Sequence, residues 1–199
     1  MDWIQAVGLL ALLLFYGSYF TKQLHLRRQG ISTNLLGRGT KPMRTYVIEV
    51  LLKTLTYVHA GVQLASLFFL QSEYGPLTSP TVRSIGLGLS FAGIGVFIMA
   101  MVTMKTSWRA GVDASQQTKL IRGGIYRYSR NPAFVGFDLF YLGFALAFFN
   151  PVTLIFLVLC AGTLHLQILE EEKFLPTLFS QEYTDYMRST ARYLGMRKS

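Results

Sequence analysis

Five stretches of the chain are rich in apolar residues and poor in charge: residues 3–20, 46–70, 82–104, 134–149 and 152–169. Each approaches the roughly 20 residues that carry an α-helix across a ~30 Å hydrocarbon core. A segment in lipid must satisfy its backbone hydrogen bonds internally, so each stretch is expected to be helical. The pattern predicts an all-α integral membrane protein with five transmembrane helices. Only Asn150-Pro151 separates the last two stretches. Proline has no amide hydrogen to lose and fits the first turn of a helix, so a tight helical hairpin is expected there.

The charges between the stretches give these helices a direction. Lys22, Arg27, Arg28, Arg38, Lys41 and Arg44 follow the first stretch with no acid among them. Lys105, Arg109, Lys119, Arg122, Arg127 and Arg130 follow the third, against Asp113 alone. The segment after the second carries only Glu73, the Asn-Pro turn carries nothing, and the tail is basic again. By the positive-inside rule the N-terminus lies outside, and both basic segments and the C-terminal tail face the cytoplasm. The start, MDWIQ, has no basic n-region, so the first helix is expected to be retained rather than cleaved as a signal peptide.

Composition supports the same class, with 51% hydrophobic and only 15% charged residues. The net charge of +9 sits in short segments beside apolar ones, where topology and anionic lipid explain it better than nucleic acid. The one cysteine, Cys160, lies in an apolar stretch and leaves no disulfide or zinc cluster within the chain. Gly86, Gly88, Gly93 and Gly95 do not have dinucleotide-fingerprint spacing and no strand precedes them. Small residues that let helices approach closely are the better explanation. Phosphate-binding loops, metal-ligand spacings and internal repeats are absent from the sequence.

Several polar groups resist explanation as packing. Glu49 and Lys53 are spaced for an i,i+4 pair whose lysine snorkels to the headgroups. His59 and Gln63, also four apart, are placed to bridge helices. Asp138 is interfacial or lines a pocket. In the tail, Glu170, Glu171 and Glu172 continue the last helix, near the negative end of its dipole, which favours a cationic partner. His165 shares a face with Glu172, and Tyr183 and Tyr186 share another, with Arg192 following. On the same side of the membrane lies a glycine- and arginine-containing turn with Gly123, Gly124, Tyr126, Arg130 and Asn131. A ligand carrying both amino and carboxylate groups can use all of these, as can an acidic lipid.

At these residues the sequence resembles the isoprenylcysteine carboxyl methyltransferases and their phospholipid methyltransferase relatives. One block is GIYRYSRNPAFVG, Gly124 to Gly136, against a family pattern of G-x-Y-x-x-x-R-[H/N]-P-x-[Y/F]-x-G. The second is EEKFLPTLFSQEYTDY, Glu171 to Tyr186, followed by Arg192. The likeness is good over residues 119–195 and extends to the first hundred only as membrane spans. It divides the chain into three N-terminal helices, residues 1–110, and a C-terminal methyltransferase core, residues 111–199. Asn131 stands where many members have histidine, and Ser180 replaces the glycine after Phe179.

The resemblance implies S-adenosylmethionine as methyl donor, no metal, and a lipophilic acceptor entering from the bilayer. Gly124, Tyr126, Arg130, Asn131 and Pro132 would build the cofactor site from the entry to the fourth helix. Glu171 and Glu172 would bind cofactor or shape the active site, with Tyr183 and Tyr186 closing over it. Arg130 and Arg192 are the candidates for orienting an acceptor carboxylate, since a guanidinium fork matches that group. If the acceptor is an amine, it must lose a proton, and Glu171, Glu172 or His165 is the candidate base. The membrane is that of a prokaryotic cell or, in a eukaryote, the endoplasmic reticulum; the partners are lipids, with no nucleic acid and a monomer as the working unit. The non-enzymatic alternative, a scaffold or transporter subunit, would place ionisable groups near mid-membrane and often in repeated halves.

Overall fold

A computed structural model describes residues 1–70, 79–111 and 119–195. Glu73 and Asp113, used above to read charge asymmetry, lie outside the described residues. Five α-helices account for most of the rest: α1 (Trp3–Arg28), α2 (Met43–Phe68), α3 (Pro80–Met104), α4 (Pro132–Ala147) and α5 (Pro151–Ser189). Two short 3₁₀ turns, Lys105–Ser107 and Gly124–Arg127, lie between α3 and α4. The described residues contain no strand.

Local chemistry sets the helix starts. Asp2 and Gln5 form a reciprocal capping box at α1. Ser79 caps α3 ahead of Pro80, and Asn150 caps α5 ahead of Pro151, which fixes the expected hairpin turn. Asn150 Nδ2 also donates to Ser66 Oγ on α2 at 2.9 Å, and Ser66 Oγ lies 2.7 Å from Thr153 Oγ1. Three polar side chains thus satisfy one another at one end of the bundle.

Three of the five helices have both the length and the composition of a membrane span. α1, α3 with its following turn, and α5 are long and apolar enough to cross a membrane. α4 is apolar but has 16 residues, so at 1.5 Å per residue it is about 24 Å long. α2 has the length, at 26 residues, but carries Glu49, Lys53, His59 and Gln63.

Packing follows the small residues. A Cβ added to Gly86 would lie 2.6 Å from the backbone of Ala147 and Gly143, and one on Gly93 would lie 2.5 Å from Phe140 N. Gly136 and Gly143 answer from α4, so α3 and α4 run antiparallel with their backbones nearly touching. Gly88 and Gly95 face open space and take no part. α2 pairs antiparallel with α5, from Thr45–Glu170 at one end to Ser66–Thr153 at the other. α1 bridges the two pairs. Its Phe15 ring stacks on Phe140 at 3.9 Å and meets Phe97 at 4.9 Å, and Tyr16 donates to Gln63 Oε1 at 2.6 Å. A cavity lies between the helices, lined by Phe15 on α1, Leu52 on α2, Met104 on α3, Phe137 on α4 and Leu164 on α5.

The loop after α1 pairs with the segment after α3. Leu35 N donates to Ala110 O, and Ala110 N to Thr33 O. Buried Glu49 accepts from Lys41 Nζ at 2.6 Å and from Gly37 N at 2.8 Å. The salt bridge of Glu49 therefore goes to Lys41 on the loop, not to Lys53 as helical spacing suggested. A loop ammonium eight residues away reaches a fully buried carboxylate that needs a close cation.

Candidate methyl-donor site

The entry to α4 and the end of α5 are joined by backbone as well as side chains. Arg130 N donates to Ala191 O at 3.0 Å, and Gly195 N donates to Tyr128 O at 2.8 Å. Gly124 has φ of +59°, and a Cβ added there would lie 3.1 Å from Thr103 Cγ2, so a side chain would be strained and crowded. Its place in the motif is explained by turn geometry.

Three consecutive glutamates on α5 point three ways, because each residue rotates the helix by about 100°. Glu170 faces α2, accepting from Thr45 Oγ1 at 2.7 Å, with Lys173 and Arg44 alongside. Glu172 faces the α4 entry. Its Oε1 accepts from Arg130 Nε at 3.1 Å and Nη2 at 2.7 Å, with Asn131 Nδ2 at 3.4 Å. Its Oε2 accepts from Arg192 Nε at 2.9 Å and sits 2.7 Å from Arg192 Nη2. One carboxylate clamps two guanidiniums. Glu171 takes the third direction, accepts from Gln167 Nε2 at 3.0 Å, and forms part of the cavity wall.

The different surroundings split the acidities of neighbouring carboxyls. Burial pushes Glu171 up to about 7, aided by the charge of Glu49 and opposed by the Gln167 hydrogen bond. Burial also works against the charged form of Glu172, but hydrogen bonds and charge from Arg192 and Arg130 outweigh it and lower its pKa. Glu172 is therefore a fixed anion, whereas Glu171 exchanges a proton near neutrality. Such a split separates a structural carboxylate from one with a proton to move. Burial raises the phenols of Tyr126, Tyr183 and Tyr186, which stay protonated. The Tyr186 hydroxyl donates to the Tyr126 carbonyl and fastens the tail to the 3₁₀ turn.

The cavity has a volume of about 320 Å³. Of the residues carried by the motifs, Tyr126, Arg130, Asn131, Glu171, Tyr183 and Tyr186 line it. Gly124, Pro132, Glu172 and Arg192 do not; they shape or hold those that do. His165 is engaged elsewhere, hydrogen-bonded through Nδ1 to the Tyr193 hydroxyl. The rest of the wall is largely aromatic and aliphatic, with Phe15, Tyr19, Trp108, Phe134 and Phe137 prominent, and Lys53, Arg109 and Lys119 add cations to it.

Sequence inspection missed Asn34, Lys53, Gln167 and Trp108 as parts of this wall. Gln167 had one usable signal, its i,i+4 spacing to Glu171. Asn34 had none, because its position depends on the loop bridge to Ala110. Asn34 Oδ1 and Gln167 Oε1 are buried acceptors with no hydrogen-bond partner among the described residues. Unsatisfied acceptors on the wall of a cavity that also holds a half-buried carboxylate suit a cationic ligand rich in N–H donors. An amino-acid-bearing sulfonium such as S-adenosylmethionine fits that donor set, and the aromatic wall suits its positive sulfur. Among the described residues no cluster suited to a metal occurs.

Comparison with known proteins points the same way. A family model described as phospholipid methyltransferase matches residues 82–182. The chain is 29% identical over 181 residues to a probable protein-S-isoprenylcysteine O-methyltransferase of Oryza sativa subsp. indica, covering 88% of this chain and 87% of the relative. It is also 37% identical over 68 residues to the protein-S-isoprenylcysteine O-methyltransferase of Saccharomyces cerevisiae, covering 34% of this chain and 28% of that protein. The family match takes in nearly all of α3, all of α4, most of α5, the first motif block and the second as far as Glu182, and the chain thus belongs to the phospholipid methyltransferase family, with isoprenylcysteine O-methyltransferases among its relatives.

Proposed function

We propose that the protein is an integral membrane S-adenosylmethionine-dependent methyltransferase that esterifies a lipophilic carboxylate of the prenylcysteine type. The observation that carries this is the cavity itself, polar at Arg130, Asn131 and Glu171 and apolar along α1 and α4. In this reading five helices cross the membrane, with the N-terminus outside and the cavity's polar end at the cytoplasmic surface, where the basic segments lie.

S-adenosylmethionine supplies a methyl group on a sulfonium, a good leaving group that departs as a neutral thioether. Tyr126, Tyr183 and Tyr186 wall the donor's end of the cavity and keep water from it. Exclusion of water favours a reaction in which a carboxylate and a sulfonium neutralise each other. Glu171, Gln167 and Asn131 offer acceptors for the donor's ammonium and hydroxyl groups. Arg130 and Glu172 hold the α4 entry against the tail, so the acceptor arrives at a site already formed. An ionised carboxylate needs no base to attack carbon. Phosphatidylethanolamine is the second acceptor class, favoured by the family match; its ammonium must first lose a proton, and Glu171 is the carboxylate able to take it. Transfer of labelled methyl from S-adenosylmethionine to N-acetyl-S-farnesylcysteine, against phosphatidylethanolamine as acceptor, tests the assignment. The expected result is label in the farnesylcysteine methyl ester; label in neither product refutes the reading.

A further inference from the structure

Four cations line the cavity: Lys53, Arg109, Lys119 and Arg130. Three are committed or exposed. Arg130 donates from Nε and Nη2 to Glu172, and from Nη1 to the Met187 and Thr190 carbonyls at 3.2 and 2.6 Å. Its fork is used up in holding the tail. Arg109 donates from Nη1 to the carbonyls of Thr106 and Trp108, both at 2.7 Å. Lys119 is exposed.

Lys53 differs from all three. It sits ten residues into α2, about 15 Å along the axis from Met43, and is half-buried. Its Nζ makes no hydrogen bond or ion pair with any described residue, because Glu49, one turn away, is taken by Lys41. With Leu52, Thr56, Tyr57 and Ala60 it forms one face of α2, and that face is cavity wall. A lysine in an apolar span is costly unless it meets an anion or water, and such residues mark binding sites. The same cavity is lined by the aromatic side chains of Phe15 and Tyr19, which suit an acyl or isoprenoid chain.

We infer that Lys53 recognises the anionic headgroup of the methyl acceptor, and that it rather than Arg130 or Arg192 makes the site select a lipophilic carboxylate. This rests on the methyltransferase reading above and names the acceptor class within it. The ammonium pairs with the acid before transfer. As the carboxylate oxygen bonds to the methyl carbon, the carbon–sulfur bond breaks and its electron pair goes to sulfur. The neutral ester then loses its partner on α2 and is released.

Binding of N-acetyl-S-farnesylcysteine and of its methyl ester to the whole detergent-solubilised protein tests this directly. The two ligands share everything but the charge. Wild type should bind the acid about tenfold or more tightly than the ester, as a partly desolvated ion pair predicts. Lys53→Met should bring the ratio close to one by weakening the acid alone, and Lys53→Arg should restore most of it. A packing role for Lys53 would weaken both ligands together and overturn the inference. So would an acid-to-ester ratio near one in wild type, or methyl transfer to phosphatidylethanolamine in place of the acid. Titration with S-adenosylmethionine in the same preparations separates this failure from failure of the methyltransferase reading, since Lys53→Met should still bind the donor.

Discussion

Replacing Glu172 with glutamine leaves a shape of nearly equal size and removes the one negative charge between two guanidiniums. The Arg130 and Glu172 side chains are 5% and 8% exposed, so that pair is shielded from water, whereas Arg192 is 38% exposed. Breaking a buried pair from one side costs about 3–5 kcal/mol. The Arg192 arm contributes little, because solvent screens it. A loss of about 3 kcal/mol is therefore expected, close to the lower bound. For a chain of this size each kcal/mol moves the melting temperature by roughly 2–4 °C, which gives a drop of about 6–12 °C. Cys160, the one cysteine and fully buried, provides the assay: a thiol-reactive dye reports unfolding as the sulfur becomes accessible. Arg192→Gln, which leaves the Arg130 arm intact, should cost much less. The lowered pKa of Glu172 adds a pH test. A depressed carboxyl stabilises the fold above its ordinary value of 4.5 and loses that contribution as pH falls through the folded value. Wild type should therefore weaken on acidification below that point, and Glu172→Gln should lack this component. A melting temperature of the variant within about 2 °C of wild type would show that the clamp does not hold the tail.

Other consequences follow from single residues. Ser180 has φ of +46° and ψ of −125° within α5, a conformation that costs a non-glycine residue of order 1 kcal/mol or more; Ser180→Gly should raise thermal stability in the same dye assay, and Ser180→Val should lower it. Glu171, with its pKa raised to about 7, favours the fold in its protonated form, so its contribution declines as pH rises through 7. Donor affinity should change oppositely over that interval, rising from pH 6 to 8 as the carboxylate becomes available to a cation. Calorimetry on Glu171→Gln should show this rise abolished.

Much of this was legible in the sequence for identifiable reasons. Asn150-Pro151 specifies its hairpin by local chemistry alone, and the seven-residue spacing of Gly86 and Gly93 matches that of Gly136 and Gly143. The two motif blocks meet as expected, since Arg130 and Glu172 need each other once both leave water. Ser180 stands where the family pattern has glycine, and the backbone there does adopt positive φ. What escaped notice depends on contacts that spacing does not encode. Glu49 chose Lys41 over Lys53 because the loop after α1 folds back, and no periodicity announces such a loop. The separate tasks of Glu170, Glu171 and Glu172 follow from helix rotation, but assigning them required knowing what stands on each side.

In the proposed function the α4 entry and the α5 tail enclose a pocket for S-adenosylmethionine. Isothermal titration of the folded, detergent-solubilised protein with S-adenosylmethionine is the decisive measurement. Saturable binding to a single site, weakened in Asn131→Leu and Tyr183→Ala, is the predicted result. Wild-type protein that stays folded by the Cys160 assay and takes up no S-adenosylmethionine would contradict it.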